Sequence, residues 1–345
     1  MLKIPEGRKL DCIPVGRLAI DLNTPTMRES FAESPSVNRY VGGSPANTAV
    51  GLAKLGCRTG FIGKISSDSL GDFVLNYVKN LGIDTTCIFR AEKEVPIGLA
   101  FTENLNGKTN LMMYRNEKVA DLLLEPAEIE EDYIASSRSI IISGTALSAS
   151  PSRDACFKAL EYAKKHDLLI VFDIDYRPQV WKNKDEIAVY YSLCAKYAQI
   201  IIGSYEEFDL MDHLLKDGMD DHETAKYWFN QNAEIVIIKH GSEGSMAYEK
   251  GGRSYKIDIV PVNAVKSTGG GDSYSSAFMY GILSGRDVKD SLELATVSAS
   301  LAVAAPCCSD AMVGIDVLEA KRKEAKENFG ELVKEIEFFR TYRLI

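Results

Sequence analysis

Short apolar runs at 11–16, 59–63, 139–143, 168–174, 199–203 and 234–239 recur along this chain and alternate with amphipathic stretches of helical period. That alternation from end to end is the pattern of a largely parallel sheet with helices on both faces. It excludes an all-helical bundle and an all-β sandwich. With 345 residues, 46% of them hydrophobic and 26% charged, the chain has ample material for one buried core and no signature of disorder.

Helices read most clearly where their punctuation is good. Ser44-Pro45 offers an N-cap followed by a first-turn proline, apolar residues follow at Ala46, Ala49, Leu52 and Ala53, and Gly56 marks the stop. Ser150-Pro151 repeats that start for a helix over 151–166. Further helices are expected at 69–81, 184–198, 205–216, 273–284, 287–304 and 314–328. Two segments break the rhythm. Residues 17–41 are polar and irregular, and 96–115 alternates in period two around Asn106-Gly107, a strong hairpin signal because both residues tolerate positive φ. Both excursions fit a small β lid on one side of the sheet. No repeat, low-complexity tract or flexible linker divides the sequence, so a single domain over 1–345 is expected, with lid insertions at about 17–41 and 96–115.

The formal net charge is −9, and this acidic balance argues against nucleic acid or an anionic membrane as partner. An anionic small substrate remains open if a few basic residues converge. The seven cysteines are scattered, without CxxC spacing, and the adjacent Cys307 and Cys308 cannot form an ordinary disulfide; with four histidines and no Cys/His cluster, a structural zinc site is not expected. The opening MLKIPEGRKLDCI has no long apolar run and no stretch approaches a membrane span, so a reduced cytoplasmic setting is the expectation.

Gly107-Lys108-Thr109 imitates the end of a P-loop, but Thr102 occupies the place of its first glycine and the segment reads as a hairpin. The informative stretch is Lys266-Ser267-Thr268-Gly269-Gly270-Gly271-Asp272, running into an apolar helix. Three glycines let backbone approach a ligand closely, and the following helix aims free N–H groups and its positive end at the same spot. Asp272 at that helix start either caps it or takes a proton from a substrate hydroxyl. By residue type alone, a glycine-rich turn with a capping aspartate and an anion cradle with a base remain equally open.

Context separates them. The segment VGGSPANTAVGLAKLGCRTGFIGKISSDSLGDFV, with its Asp68-Ser69-Leu70-Gly71 block, resembles the N-terminal signature of the PfkB/ribokinase family of carbohydrate kinases, and STGGGDSYSSAF resembles the C-terminal one. They stand in the family's order, and the resemblance spans about residues 10–315. It implies a ribokinase-like three-layer α/β/α fold with a mainly parallel central sheet and a small β lid. The implied activity is ATP-dependent phosphorylation of a sugar hydroxyl, with ATP and Mg²⁺ as cofactors. By the same resemblance Asp272 matches the catalytic base and Gly269, Gly270 and Gly271 the anion hole. Asp21, Gly42, Gly43 and Asn47 match positions that bind substrate hydroxyls. Glu207 matches a glutamate that organises Mg²⁺ through water, although Ser204 replaces the usual asparagine before it; a solvated acid in a helix first turn is the other reading. Lys239, Gly241 and Gly244 match the strand and turn beside the nucleotide. Ser204 and the turn at Cys307-Cys308 are expected to join that wall, with the cysteines as lining rather than redox centre.

The departures favour an acidic sugar. Asp173-Ile174-Asp175-Tyr176-Arg177 resembles the Asp-x-Asn-x-Arg motif of keto-deoxy-gluconate kinases, with Asp175 replacing the asparagine, and Arg115 ends the second lid strand. Two arginines in one pocket suit a carboxylate, which guanidinium groups bind bidentately; a surface position or a structural ion pair is the competing reading for each. A kinase of 2-dehydro-3-deoxygluconate, a neutral-sugar kinase similar to fructokinases, a nucleoside kinase and a non-catalytic sugar sensor are the alternatives. Lys266 replaces an aspartate that helps K⁺-activated relatives hold their ion. A lid with open strand edges is also expected to pair into a homodimer.

Overall fold

A computed structural model of the chain describes residues 2–25, 29–105 and 108–336. The first half contains β1 (Ile13–Val15), β2 (Ala19–Asn23), β3 (Asn38–Gly42), α1 (Ser44–Leu55), β4 (Gly60–Ile65), α2 (Ser69–Asn80), β5 (Asp84–Arg90), β6 (Leu99–Leu105), β7 (Lys108–Tyr114), α3 (Glu131–Ala135), β8 (Ser139–Ser143), α4 (Ser152–Lys165) and β9 (Leu169–Asp173). The second half adds α5 (Lys184–Ala195), β10 (Ile200–Ser204), α6 (Tyr205–Asp212), α7 (Asp221–Gln231), β11 (Ile235–Lys239), β12 (Ser245–Glu249), β13 (Ser254–Ile257), α8 (Gly270–Leu283), α9 (Val288–Val303), α10 (Ile315–Phe329) and β14 (Val333–Ile336).

The large sheet runs β14-β13-β12-β11-β10-β9-β8-β1-β4-β5, parallel from β11 to β5 and antiparallel from β11 out to β14. Its central strands β8 to β11 are nearly all apolar because each face is covered. Ile140, Ile142 and Phe172 pack toward Leu160, Tyr191 and Trp228, while Ile141, Leu169 and Val171 pack toward Leu52, Phe278 and Leu294. Period-two side-chain direction therefore sends successive isoleucines of one strand to opposite helical layers. This is the expected three-layer α/β/α arrangement.

A separate sheet, β3-β2-β6-β7, forms the lid. Strands β6 and β7 pair antiparallel from Leu99–Tyr114 to Leu105–Lys108; the turn residues 106–107 lie outside the described residues. Leu18, Ile20 and Val41 anchor the lid on Ala46, Phe61 and Val74.

Several helix boundaries differ from expectation. Gly43, at φ 100°, caps α1, so Ser44 is its first residue and Pro45 its second. The first α4 bond, from Ala155 N–H to the Pro151 carbonyl, makes Pro151 rather than Ser150 the cap. α6 stops at Asp212 because Leu215 and Lys216 both donate to the Asp212 carbonyl and turn the chain. α8 begins at Gly270, three residues earlier than the pattern predicts, which puts Asp272 inside its first turn.

Candidate active site

The parallel strands end on one side of the sheet, and their last residues are polar: Ser143 on β8, Asp173 on β9, Ser204 on β10 and Lys239 on β11. β1 lies between β8 and β4, so connections leave it in opposite directions and open a crevice at its carboxyl end. Arg17 stands two residues beyond β1 there, and the lid starts two residues later.

Gly269 opens α8 in the left-handed region, at φ 83° and ψ −13°. A Cβ here would also stand 2.7 Å from Cys308 Sγ, so glycine is required twice over. Asp272 is nearly buried at 9% exposure, and its Oδ2 accepts a 2.7 Å hydrogen bond from Asn47 Nδ2 on α1. Burial and the charge of Asp175 push the Asp272 carboxyl up, while Asn47, Arg177 and Ser44 oppose the rise. The result is a carboxylate more basic than usual in the first turn of a helix, beside a glycine loop. That is a competent acceptor for a hydroxyl proton. Asn47 Oδ1 is buried without a partner and offers an acceptor to a ligand hydroxyl.

Asp21 on β2 lies over Gly42, where a Cβ would come within 1.9 Å of its Oδ1. Gly43 is equally constrained, because a Cβ would meet the Arg17 carbonyl at 2.4 Å. The sequence-derived substrate residues Asp21, Gly42, Gly43 and Asn47 thus meet between lid and α1. Asp175 sits at φ 35°, a left-handed conformation that costs a non-glycine residue about 1 kcal/mol or more. It is held there by Ser143 Oγ at 3.2 Å and by Arg177 Nη2 at 2.9 Å.

The two arginines assigned to a carboxylate are both already engaged. Arg177 pairs with Asp175 and donates to the Tyr176 carbonyl, with its side chain 31% exposed. Arg115 is a correction. Its side chain has no exposure, and it donates through Nε and Nη2 to Asp121 Oδ2 at 3.0 and 2.7 Å, to the Thr145 carbonyl and to Ser148 Oγ. It is a structural ion pair that ties the end of the lid to the domain.

A cavity of about 630 Å³ opens on the other side of Asp272. Lys239, Gly241, Gly244, Gly270 and Gly271 line its inner end, and Val262, Ala299 and Val303 its apolar end. Lys239 Nζ would lie 3.2 Å from a Cβ on Gly271, so its ammonium sits against the glycine loop. Asp173, Glu207, Asp272 and Asp175 favour its charged form, while burial opposes it. Thr109 of β7 also reaches this cavity, and its hydroxyl accepts from Ser267 N at 3.2 Å, so the false P-loop touches the glycine loop from the lid.

Two expected wall elements stand elsewhere. Neither Cys307 nor Cys308 lines the cavity; Cys308 backs the glycine loop, and its Sγ accepts from Lys266 Nζ at 3.3 Å. The loop 259–264 takes the wall position instead, and it has neither periodicity nor motif to mark it. Ser204 caps α6 in a reciprocal box with Glu207. The two Glu207 oxygens accept from Tyr176 N and Ser204 N, both at 2.7 Å.

Among the described residues no three His, Cys, Asp or Glu side chains form a closed metal cage. The nearby donors are hard carboxylates. Asp173, which accepts from Ser275 Oγ at 2.8 Å, is pushed up to about 7 by burial and by Asp175, Asp272 and Glu207, against the pull of Lys239. Crowded carboxylates beside a phosphate-sized space suit Mg²⁺, which takes one or two carboxylates and completes its shell with phosphates and water.

A buried carboxylate at a glycine-led helix start, an open acceptor on Asn47 and a cavity of about 630 Å³ thus gather at the carboxyl ends of the parallel strands. Residues 9–313 match the pfkB family of carbohydrate kinases, and the chain belongs to that family. The chain is 50% identical over 333 residues to the 5-dehydro-2-deoxygluconokinase of Clostridium perfringens, covering 96% of this chain and 98% of the relative. Solved structures share the fold. A fructokinase from Xylella fastidiosa with bound ATP superposes at TM-score 0.80 and 21% identity, covering 91% of this chain and 98% of its own. A putative ribokinase II from E. coli, in complex with ATP and Mg²⁺, superposes at 0.82 and 20%, covering 91% and 99%.

Proposed function

We propose that this chain phosphorylates the 6-hydroxyl of 5-dehydro-2-deoxy-D-gluconate with ATP, in the cytoplasm, as a step of myo-inositol catabolism. The observation that carries the chemistry is Asp272, a buried, raised carboxylate clasped by Asn47 between the hydroxyl-binding side and the glycine-lined cavity. The half-identical clostridial kinase supports the choice of acceptor.

In this reading Asp21, Gly43 and Asn47 orient the acceptor under the lid. Asp272 takes the proton of the attacking hydroxyl as its oxygen bonds to the γ-phosphorus, and the bond to the leaving ADP oxygen breaks. The free N–H groups of Gly270, Gly271 and Asp272 at the start of α8 and the Lys239 ammonium face the charge that moves across the phosphoryl group. Asp173 and Glu207 are the carboxylates that would hold Mg²⁺ through water, and the ion would supply further neutralisation of the phosphates. Closure of the lid excludes water that would otherwise take the phosphoryl group. The free edges of the lid sheet, β3 and β7, are the proposed surface for pairing two copies.

The test is a panel of acidic and neutral sugars assayed for substrate-dependent ADP release. The expected result is preference for 5-dehydro-2-deoxy-D-gluconate over 2-dehydro-3-deoxygluconate and fructose. Preference for fructose would overturn the acceptor, and sugar binding without ADP release would overturn the kinase.

A further inference from the structure

We propose that Arg17 is the residue that receives the carboxylate of the acid substrate, and thereby sets acid over neutral acceptors. This rests on the acceptor reading above.

Three arginines lie within electrostatic reach of one another at this end of the sheet: Arg17, Arg115 and Arg177. Arg115 has Asp121, and Arg177 has Asp175. Arg17 is 5% exposed, and its Nε and Nη2 are buried with no hydrogen-bond partner among the described residues. Burying a guanidinium without an acceptor is among the costlier arrangements in a protein, and it persists where a bound anion completes it. Asp121 does not fill that role, since its Oδ2 is taken by Arg115 and its Oδ1 is likewise without a partner. The charges of Asp121 and Asp21 reach Arg17, yet among the described residues neither accepts a hydrogen bond from its Nε or Nη2, so the fork itself is left open.

Its position suits the far end of the substrate. The Arg17 side chain leaves the end of β1, passes Gly43 and reaches Gly98 at the foot of β6, where a Cβ would stand 3.4 Å from its Nε. Asp21 feels Arg17 and Arg177, whereas Asp272 feels Asp175 and Arg177. Arg177 is the positive charge that the two carboxylates share. A six-carbon acid phosphorylated at its terminal hydroxyl carries its carboxylate at the opposite end of the chain. Nε and one Nη of a guanidinium form a fork that pairs with both carboxylate oxygens at once. The carboxylate needs no general acid there; its role is binding and register, which makes Arg17 a specificity residue rather than a catalytic one.

The experiment compares 5-dehydro-2-deoxy-D-gluconate with its methyl ester, which keeps every hydroxyl and loses the charge. The unmodified enzyme is expected to show a KM for the ester higher by about thirtyfold or more, the scale of losing one partner of a buried charged pair. In Arg17→Met the KM for the acid should rise by a similar factor, with a much smaller change for the ester. Equal losses on acid and ester, or no loss on either, would overturn the assignment while leaving the kinase reading intact. Failure of the unmodified enzyme to use the acid at all would remove the acceptor reading first and this one with it. If Arg17→Met does not fold, a crystal structure of the unmodified enzyme with the acid decides. A carboxylate oxygen within about 3.2 Å of Arg17 Nε or Nη2 supports the assignment. A carboxylate held by Arg177 alone, or Arg17 turned onto Asp121, overturns it.

Discussion

Asp272→Asn alters the proposed base while leaving its surroundings in place. The amide oxygen can still accept from Asn47 Nδ2, which now bonds Asp272 Oδ2 at 2.7 Å, so the α1–α8 clasp survives. What disappears is the negative charge and the affinity for a proton. A positioned base contributes about 10²–10⁴ in rate, which at about 1.36 kcal/mol per tenfold is about 2.7–5.4 kcal/mol of barrier. kcat in the ADP-release assay should fall by that factor. ATP binding, measured by calorimetry, should persist, because the cavity is lined by other residues. The pH profile gives a second readout. Burial and Asp175 raise the Asp272 carboxyl, so the acid limb of kcat/KM in the unmodified enzyme should lie above the ordinary carboxylate range, and the variant should lack it. Stability moves the other way. A carboxyl raised in the folded state contributes stability below its unfolded value that is lost as pH rises through the folded one, so the neutral variant should melt no lower than the parent at pH 8. A kcat within tenfold of the parent, with the acid limb unchanged, would refute the assignment of the base.

Three further outcomes follow from side chains already described or adjacent to them. Arg115→Leu leaves the Asp121 carboxylate, 2% exposed, without its partner, and urea unfolding should show a loss of about 3–5 kcal/mol; a loss below about 1 kcal/mol would contradict the buried pair. Asp212 lies under Trp228 Nε1 at 3.0 Å and is pushed up to about 7 by burial, so it favours folding below pH 4 and ceases to as pH rises through 7. Asp212→Asn should therefore raise the Tm at pH 8 and hardly change it at pH 4, and equal shifts at both would refute the titration. Lys266 Nζ bonds the Thr268 carbonyl at 2.5 Å and lies against the glycine loop as a fixed cation. The unmodified enzyme should be indifferent to exchanging K⁺ for Na⁺, whereas Lys266→Asp should lose activity and regain part of it in K⁺; strong K⁺ activation of the parent would refute this.

The parallel strands were legible because burial on both faces leaves runs such as Ile140 to Ile142 with hardly a polar interruption. The antiparallel edge was not. SMAYE in β12 and SYKI in β13 are short and mixed, and α7 has a polar sequence around its Trp228-Phe229 anchor. In the site, the glycine run left Asp272 open between a helix cap and a base, and only the two ordered signature segments singled it out. The states of the arginines were hidden. Arg115 and Asp121 are six apart, and only the turn after β7 brings them together. Arg17 follows Gly16 in no pattern that marks a binding residue, and its lack of a partner is a property of the folded interior alone.

The lid strand β3 ends at Gly42, α1 begins at Ser44, and one residue, Gly43, joins them. One turn into α1, Asn47 holds the carboxylate of Asp272. The inner end of the lid and the side chain that holds the Asp272 carboxylate are thus neighbours on one stretch of chain. A shift of β3 would bear, across the single residue Gly43, on the helix that carries Asn47, so lid and carboxylate are coupled through the backbone itself.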